Sequence, residues 1–301
     1  MGLAVEIKIV AICVLYQTED NFFPILKDIL NQVSFVILVD NGCESIFENK
    51  IKKIISNDKK RIFFIQEEKN VGLALAQNHG IEFSKKLGAD YIIFFDDDSS
   101  PNDKMVTRMV NYAKKNLDVG IVAPDIQHVS GGLQKYWVKD KYFWRRRTFK
   151  DDESVLIEVN TVISSGSLIP IKIIQELGGM RADYFIDYID IEYCLRVRKA
   201  GYRISVLRDA GLKHSLGNRS SVKTLGISLY PTHHSPLRKY YMTRNRVFTW
   251  KIYANTMKIW FLIDVINFVF DTMRMLLFES DKKEKIISIY NGFREGFRTK
   301  K

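Results

Sequence analysis

Tyr91, Ile92, Ile93, Phe94 and Phe95 run without a break into Asp96, Asp97 and Asp98, with Ser99 and Ser100 next in line. A short apolar run of aromatic and branched residues reads as a strand buried on both faces. The acids then stand at its carboxyl end, the edge where open α/β sheets bind their ligands. Three adjacent carboxylates do not ionise together cheaply without a positive group beside them. Asp96 and Asp98, two residues apart, have the spacing to grip a hard divalent cation through oxygen. Taken alone, the triplet has a second reading. It is also a solvated loop capping the next helix, with Ser99, Ser100 and Pro101 as the helix start.

The stretches before and after decide what frame holds that strand. Residues 7–15, 35–39, 61–66, Tyr91–Phe95 and 119–124 are apolar and strand-like. Between them, Phe22–Leu30, 46–55, 72–86 and Met105–Lys115 place apolar residues at helical spacing. Asp40, Asn41 and Gly42 close the second strand with a turn signal. Strands alternating with helices of this length predict βαβ units, a mostly parallel sheet and right-handed crossovers. With 301 residues and 46% hydrophobic content, the chain can bury one large core with an appendage.

Cys13, Cys43 and Cys194 are odd in number and far apart, which points to a reducing compartment and away from a disulfide framework or a zinc site. The first sixteen residues carry Glu6 and Lys8 and have no basic leader, so they read as a first strand and not a signal peptide. A cytoplasmic enzyme is the expectation. Net charge is +11, and from Arg244 to Lys301 twelve basic residues face six acids. That excess suits an anionic partner for the C-terminus, such as a membrane surface.

Several further stretches bear on chemistry. Asp40 is placed to accept from a base or a ribose hydroxyl, or simply to open its turn. From Asn70 to Gly80, Gly72, Ala74 and Ala76 leave room for a ligand or for helix-on-sheet packing. This is neither a dinucleotide fingerprint nor a Walker loop. Around Tyr136, Trp137, Trp144 and Arg145–Arg147, aromatics alternate with basic residues; a surface hairpin or acceptor-side loop fits better than a base-stacking platform, because the run is single. Asp187, Asp190 and Glu192 crowd the start of a helix that runs towards Ala200, with Gly201 as its stop. Acids are favoured at a helix N-terminus. The apolar setting of Phe185, Ile186, Ile189 and Ile191 also makes a shielded carboxylate there a candidate general base.

In order and spacing these residues resemble the family 2 glycosyltransferases of the GT-A fold, and in particular their bacterial rhamnosyltransferase branch, over nearly the whole chain to about Thr249. The resemblance implies a Rossmann-like sheet flanked by helices in residues 1–249 and a helical appendage in 250–301. It implies that Tyr16 and Asp40 hold the nucleotide base, and that Asn70 and Gln77 belong to the loop beside the nucleotide. Asp96 and Asp98 match the DxD pair that meets ribose and the metal–diphosphate, the ion being Mg²⁺ or Mn²⁺. Asp190 matches the acid that activates the acceptor, although the Glu that precedes it in the family is Ile189 here. His214 resembles the histidine that assists the metal or diphosphate. Arg244 and Asn245 resemble the Arg-Asn pair after two tyrosines, with Arg244 on the donor phosphate. The activity so implied is inverting transfer of rhamnose from dTDP-rhamnose to a glycan or lipid-linked acceptor. A sugar-phosphate nucleotidyltransferase is the rival enzyme, but residues 14–20 lack its Gly-rich, Arg-containing loop. A basic nucleic-acid-binding protein is the rival outside enzymes.

Between residues 259 and 278, Asp264, Asn267, Asp271 and Arg274 fall on one helical stripe, too many polar groups for a spanning helix. Ile286, Ile289, Tyr290, Phe293 and Phe297 mark a further helical face flanked by Lys282, Lys283, Lys285, Arg294, Arg298, Lys300 and Lys301. Two readings stand: a helical pair packed on the domain or a second subunit, and a basic amphipathic element lying on an anionic inner membrane.

Overall fold

The computed structural model describes residues 6–128, 134–139, 144–214, 222–224, 227–229 and 233–299. Chain order begins with β1 (Ile9–Leu15), α1 (Phe22–Leu30), β2 (Phe35–Asp40), α2 (Ser45–Asn57), β3 (Ile62–Gln66), α3 (Leu73–Lys86) and β4 (Tyr91–Phe95). Next come β5 (Ser99–Pro101), α4 (Met105–Lys115), β6 (Val119–His128), β7 (Tyr136–Lys139), β8 (Trp144–Arg147), β9 (Val155–Leu156), β10 (Leu168–Pro170) and α5 (Ile171–Leu177). A 3-10 turn at Ala182–Tyr184 leads into α6 (Ile189–Lys199) and β11 (Arg203–His214), then a hairpin of β12 (Val222–Thr224) and β13 (Ile227–Leu229). Helices α7 (Pro236–Tyr253), α8 (Lys258–Phe278) and α9 (Lys282–Arg298) close the chain.

The main sheet runs β3-β2-β1-β4-β10-β6-β11-β5, with β9 on the side of β11. Pairs β3–β2, β2–β1, β1–β4 and β6–β11 are parallel, while β10, β9 and β5 pair antiparallel. Successive strand residues point to opposite faces, and both faces are covered. Val10 and Ile12 of β1 join Ile92 and Phe94 of β4 in one core. Ala11, Cys13 and Leu15 join Ile93 and Phe95 in the other. The expected mostly parallel, doubly covered sheet is therefore what the chain builds.

Two local expectations change. Ser99–Pro101 is no helix start: it is edge strand β5, which pairs with β11 so that Ser99 faces His214. Helix α4 begins only after Lys104, which adopts a left-handed φ of 58°. The small residues of α3 turn out to serve packing. Ala74 and Ala76 are fully buried, and a Cβ on Gly80 would fall 2.5 Å from the Ile12 side chain. Gly72 has φ +87° and touches Phe185, so its position both needs glycine and brings the 185–188 segment against α3.

Strands β7 and β8 pair antiparallel, in keeping with the expected hairpin, and residues 140–143 between them lie outside the described residues. Helix α7 runs across position 249/250, and α9 packs back upon it through Gly292 and Gly296, whose Cβ atoms would strike Tyr240, Thr243 and Val247. Among the described residues no helix is long and apolar enough to cross a membrane. Residues 215–217, 300 and 301 lie outside the described residues.

Candidate active site

Strand β4 delivers the acidic triplet to the carboxyl edge of the sheet. The backbone N–H of Asp96 donates to Ser165 Oγ at 3.1 Å, and Thr18 Oγ1 donates to Asp97 Oδ2 at 2.5 Å. Asp97 is thus tied to the loop after β1, while Asp96 and Asp98 turn elsewhere. The chain then folds back through β5 onto β11, and this return sets His214 beside the acids. His214 Nδ1 lies 3.1 Å from Asp98 Oδ1 and 2.6 Å from Ser99 Oγ. One ligand atom each from Asp96, Asp98 and His214 falls within 4.8 Å of the others. Burial pushes the Asp96 carboxyl up to about 6, with His214 opposing and Asp98, Asp97 and Asp190 adding to the rise. Two carboxylates and an imidazole, crowded by further acids, suit Mg²⁺ or Mn²⁺.

The second half of the site enters from α6. Phe185, Asp187 and Tyr188 all have left-handed φ, at 55°, 63° and 65°. Such residues cost on the order of 1–3 kcal/mol each and persist where the surroundings over-determine them. Asn245, fully buried on α7, supplies that constraint: its Nδ2 donates to the carbonyls of Tyr184, Ile186 and Asp187 at 2.7, 2.8 and 3.0 Å. The Leu73 N–H at the start of α3 donates to the Phe185 carbonyl. Asp190 follows in the first turn of α6, where its Oδ1 accepts from the Ile191 N–H at 2.8 Å. Burial raises its carboxyl to about 6; that N–H opposes the rise and Asp187 adds to it.

The three acids of this segment separate by contact. Asp187 is gripped by Arg238, whose Nε and Nη2 each donate at 2.9 Å. Glu192 is 2% exposed, bound twice by Arg196 and also by Tyr253 Oη at 2.8 Å, so it is a core ion pair. Asp190 has no ion pair among the described residues, and it lines a cleft of about 680 Å³ together with Ser165 and His214. The far walls of that cleft are Lys135, Trp137 and Arg146 of the hairpin region and Asn267, Phe270, Asp271 and Arg274 of α8.

At the carboxyl ends of β1 and β2, Tyr16 is half exposed and its ring lies over Gly42, while Asp40 is buried. Asp40 Oδ1 accepts from the N–H groups of Gly42 and Cys43, so it does open its turn. Asn70 Oδ1 accepts from Asn41 Nδ2 and from the Gly72 N–H, fastening its loop to the one after β2. Gln77 is buried near Ser164, and among the described residues its Oε1 has no partner. Arg244 donates to the Asp183 carbonyl and to Asn245 Oδ1 and stacks on Tyr241. Arg238 is a cation that the fold brings to the acids: against the cost of burial, Asp187 and then Asp190 and Asp96 raise its pKa. Sequence reading passed over it, although Ser235 as N-cap and Pro236 at the first position mark a helix start and put Arg238 in the first turn.

The chain matches the model of glycosyl transferase family 2 over residues 10–178, more than half its length. It belongs to that family. This glycosyltransferase is 28% identical over 284 residues to the dTDP-rhamnosyl transferase RfbF of Shigella flexneri, covering 93% of this chain and 90% of that one. It is 23% identical to a glycosyltransferase of Methanocaldococcus jannaschii, covering 87% and 89%. Among solved structures, GalNAc-T7 with UDP, GalNAc and Mn²⁺ superposes with a TM-score of 0.65 at 12% identity, over 98% of this chain and 56% of that one. The mannosyltransferase PcManGT of Pyrobaculum calidifontis, with GDP-Man and Mn²⁺, gives 0.56 at 12% identity over 83% and 65%. The glycosyltransferase thus has the GT-A fold, and its family decides against the nucleotidyltransferase reading.

Proposed function

We propose that this glycosyltransferase moves rhamnose from dTDP-rhamnose, with inversion and with the help of a divalent metal, onto a growing bacterial cell-surface glycan or its lipid-linked precursor. The observation that carries the reading is Asp190, a carboxylate free of any ion pair among the described residues, set in the same cleft as His214 of the acidic group. A single displacement at the anomeric carbon needs one base on the acceptor side and charge neutralisation on the leaving-group side. Asp190 takes the acceptor hydroxyl's proton in this reading. Asp98 and His214 would hold Mg²⁺ or Mn²⁺, with Asp96 serving ribose and metal. Such an ion supplies positive charge to a diphosphate leaving group. Tyr16, Asp40, Asn70 and Gln77 line the nucleotide, and Arg238 is better placed than Arg244 to add positive charge near the acids.

Residues 1–249 carry the chemistry in this proposal, and 250–301 form an appendage that reaches the acceptor side. The donor rests on likeness to the Shigella flexneri dTDP-rhamnosyl transferase over nearly the full chain. A thermal-shift panel with Mn²⁺ or Mg²⁺ tests it. Stabilisation by dTDP-rhamnose above that by UDP-glucose, UDP-galactose or UDP-GlcNAc is expected. A clear preference for a UDP-sugar rejects the donor.

A further inference from the structure

Helix α8 is amphipathic the wrong way round for a helix packed on a soluble domain. Its polar stripe points inward: Asp264 is buried, accepts from Tyr188 Oη at 2.7 Å, and meets Arg246 Nε at 3.1 Å and Trp250 Nε1 at 2.7 Å. Asn267, Asp271 and Arg274 extend this stripe along the cleft wall. The apolar stripe points outward. Ile259, Leu262, Ile266, Val269, Phe270, Met273 and Leu277 recur at helical spacing, each exposed, with Leu262 at 59%, Phe270 at 66% and Leu277 at 65%. From 259 to 277 the stripe is about 27 Å long, and within it no exposed residue carries a charge. Exposed apolar surface of this extent marks an interaction site.

We propose that the outer face of α8, with the exposed basic side of α9, lies on an anionic lipid bilayer and holds the mouth of the cleft against the surface that carries a lipid-linked acceptor. This rests on the transferase reading of the cleft and adds the surface that presents its substrate. Two features favour a bilayer over a second copy of the chain. Phe270 belongs to both the stripe and the cleft lining, so whatever covers the stripe also stands at the cleft mouth. A bilayer can deliver the acceptor there, whereas a second protein would cover the entrance. The other feature is charge. Lys258 at the start of α8 and Lys282, Lys283, Arg294 and Arg298 on α9 are exposed, against the exposed acids Asp281 and Glu284, and Ile286, Tyr290 and Phe297 are exposed on α9 as well. That is the pattern of an interfacial helix pair attracted to anionic headgroups. Pairing two such faces would set like charges together in a protein of net charge +11.

The test is sedimentation of the full chain with vesicles of phosphatidylcholine containing 30% phosphatidylglycerol, beside neutral phosphatidylcholine vesicles, at low and high salt. Leu262, Ile266 and Met273 lie outside the cleft lining, so the triple variant Leu262→Gln, Ile266→Gln, Met273→Gln removes the stripe alone. Wild type is expected to partition onto the anionic vesicles, more weakly at high salt. The triple variant should bind at least tenfold less with an unchanged melting temperature, and Leu277→Gln should weaken binding in the same direction. Failure of wild type to bind at low salt overturns the proposal. So does a wild-type dimer in light scattering that the triple variant turns into monomer without any vesicle binding. Stabilisation by nucleotide sugars is measured in parallel. Its persistence without vesicle binding rejects the docking surface and keeps the transferase, and vesicle binding without it does the reverse.

Discussion

Arg238 closes on Asp187 through two donors, Nε and Nη2, each at 2.9 Å, and so ties one of the two acids beside the α6 entrance into an ion pair. Asp190, three residues on, keeps its carboxylate in the cleft and accepts from the Ile191 N–H. The pair explains how neighbouring acids in a crowded segment take different tasks. One anchors the first turn of α7 to the 185–188 backbone, and the other lines the cleft.

Replacing Asp190 by Asn keeps the shape and removes the proton acceptor. Loss of a general base costs about 10²–10⁴ in rate, so transfer by Asp190→Asn should nearly stop while donor affinity holds. Asp187→Asn breaks the grip of Arg238 and should lower both stability and rate, the rate by less. A dead Asp187→Asn beside a near-normal Asp190→Asn would move the base to Asp187.

The raised carboxyl of Asp190 sets a pH dependence. A base must be ionised, so kcat/KM should climb through an acid limb near 6 and level off above it. Stability moves the other way. The folded value of about 6 stands above the ordinary 3.8, so below about 3.8 the group is protonated in both states and costs nothing. As pH rises through that window, the folded state gives up on the order of 2–3 kcal/mol. At pH 8, Asp190→Asn should therefore melt higher than wild type, and at pH 4 the two should converge. A lower melting point at pH 8 would contradict the desolvated carboxylate.

Asp98 stands nearest His214 in the group that can hold a metal. Asp98→Ala should abolish Mn²⁺-dependent binding of the nucleoside diphosphate, measured by calorimetry, with unfolding still cooperative. An unchanged Mn²⁺ requirement would remove Asp98 from the metal site.

Glu192 should behave as core. Removing one partner of a buried ion pair costs about 3–5 kcal/mol, and Glu192→Ala strands both Arg196 and Tyr253. A large fall in melting temperature with donor affinity retained is expected. A stable but inactive Glu192→Ala would instead give that acid a part in the chemistry.

Asn245 holds three carbonyls of the left-handed segment before α6. Leaving buried carbonyls without a donor costs about 1–3 kcal/mol each. Asn245→Ala should lose several kcal/mol and lower kcat more than donor affinity, because the 185–188 backbone positions Asp190. Equal losses in kcat and donor affinity would show that the clamp serves the whole site.

The strands, helices and acids of this chain were legible because their signals are local. Unbroken apolar runs in β1 and β4, the apolar spacing of α1 and α4, and carboxylates at a strand end are each read within a few residues. Tertiary structure decided what no local signal carries. Ser99–Pro101 has the composition of a helix start, and pairing with β11 makes it a strand. Arg238 reaches Asp187 across 51 residues of sequence, and only the docking of α7 brings the two together. Periodicity divided α8 into a polar and an apolar stripe, but an isolated helix has no inside. Burial of Asp264 against Arg246, Tyr188 and Trp250 turned the polar stripe to the cleft and left the apolar one facing out.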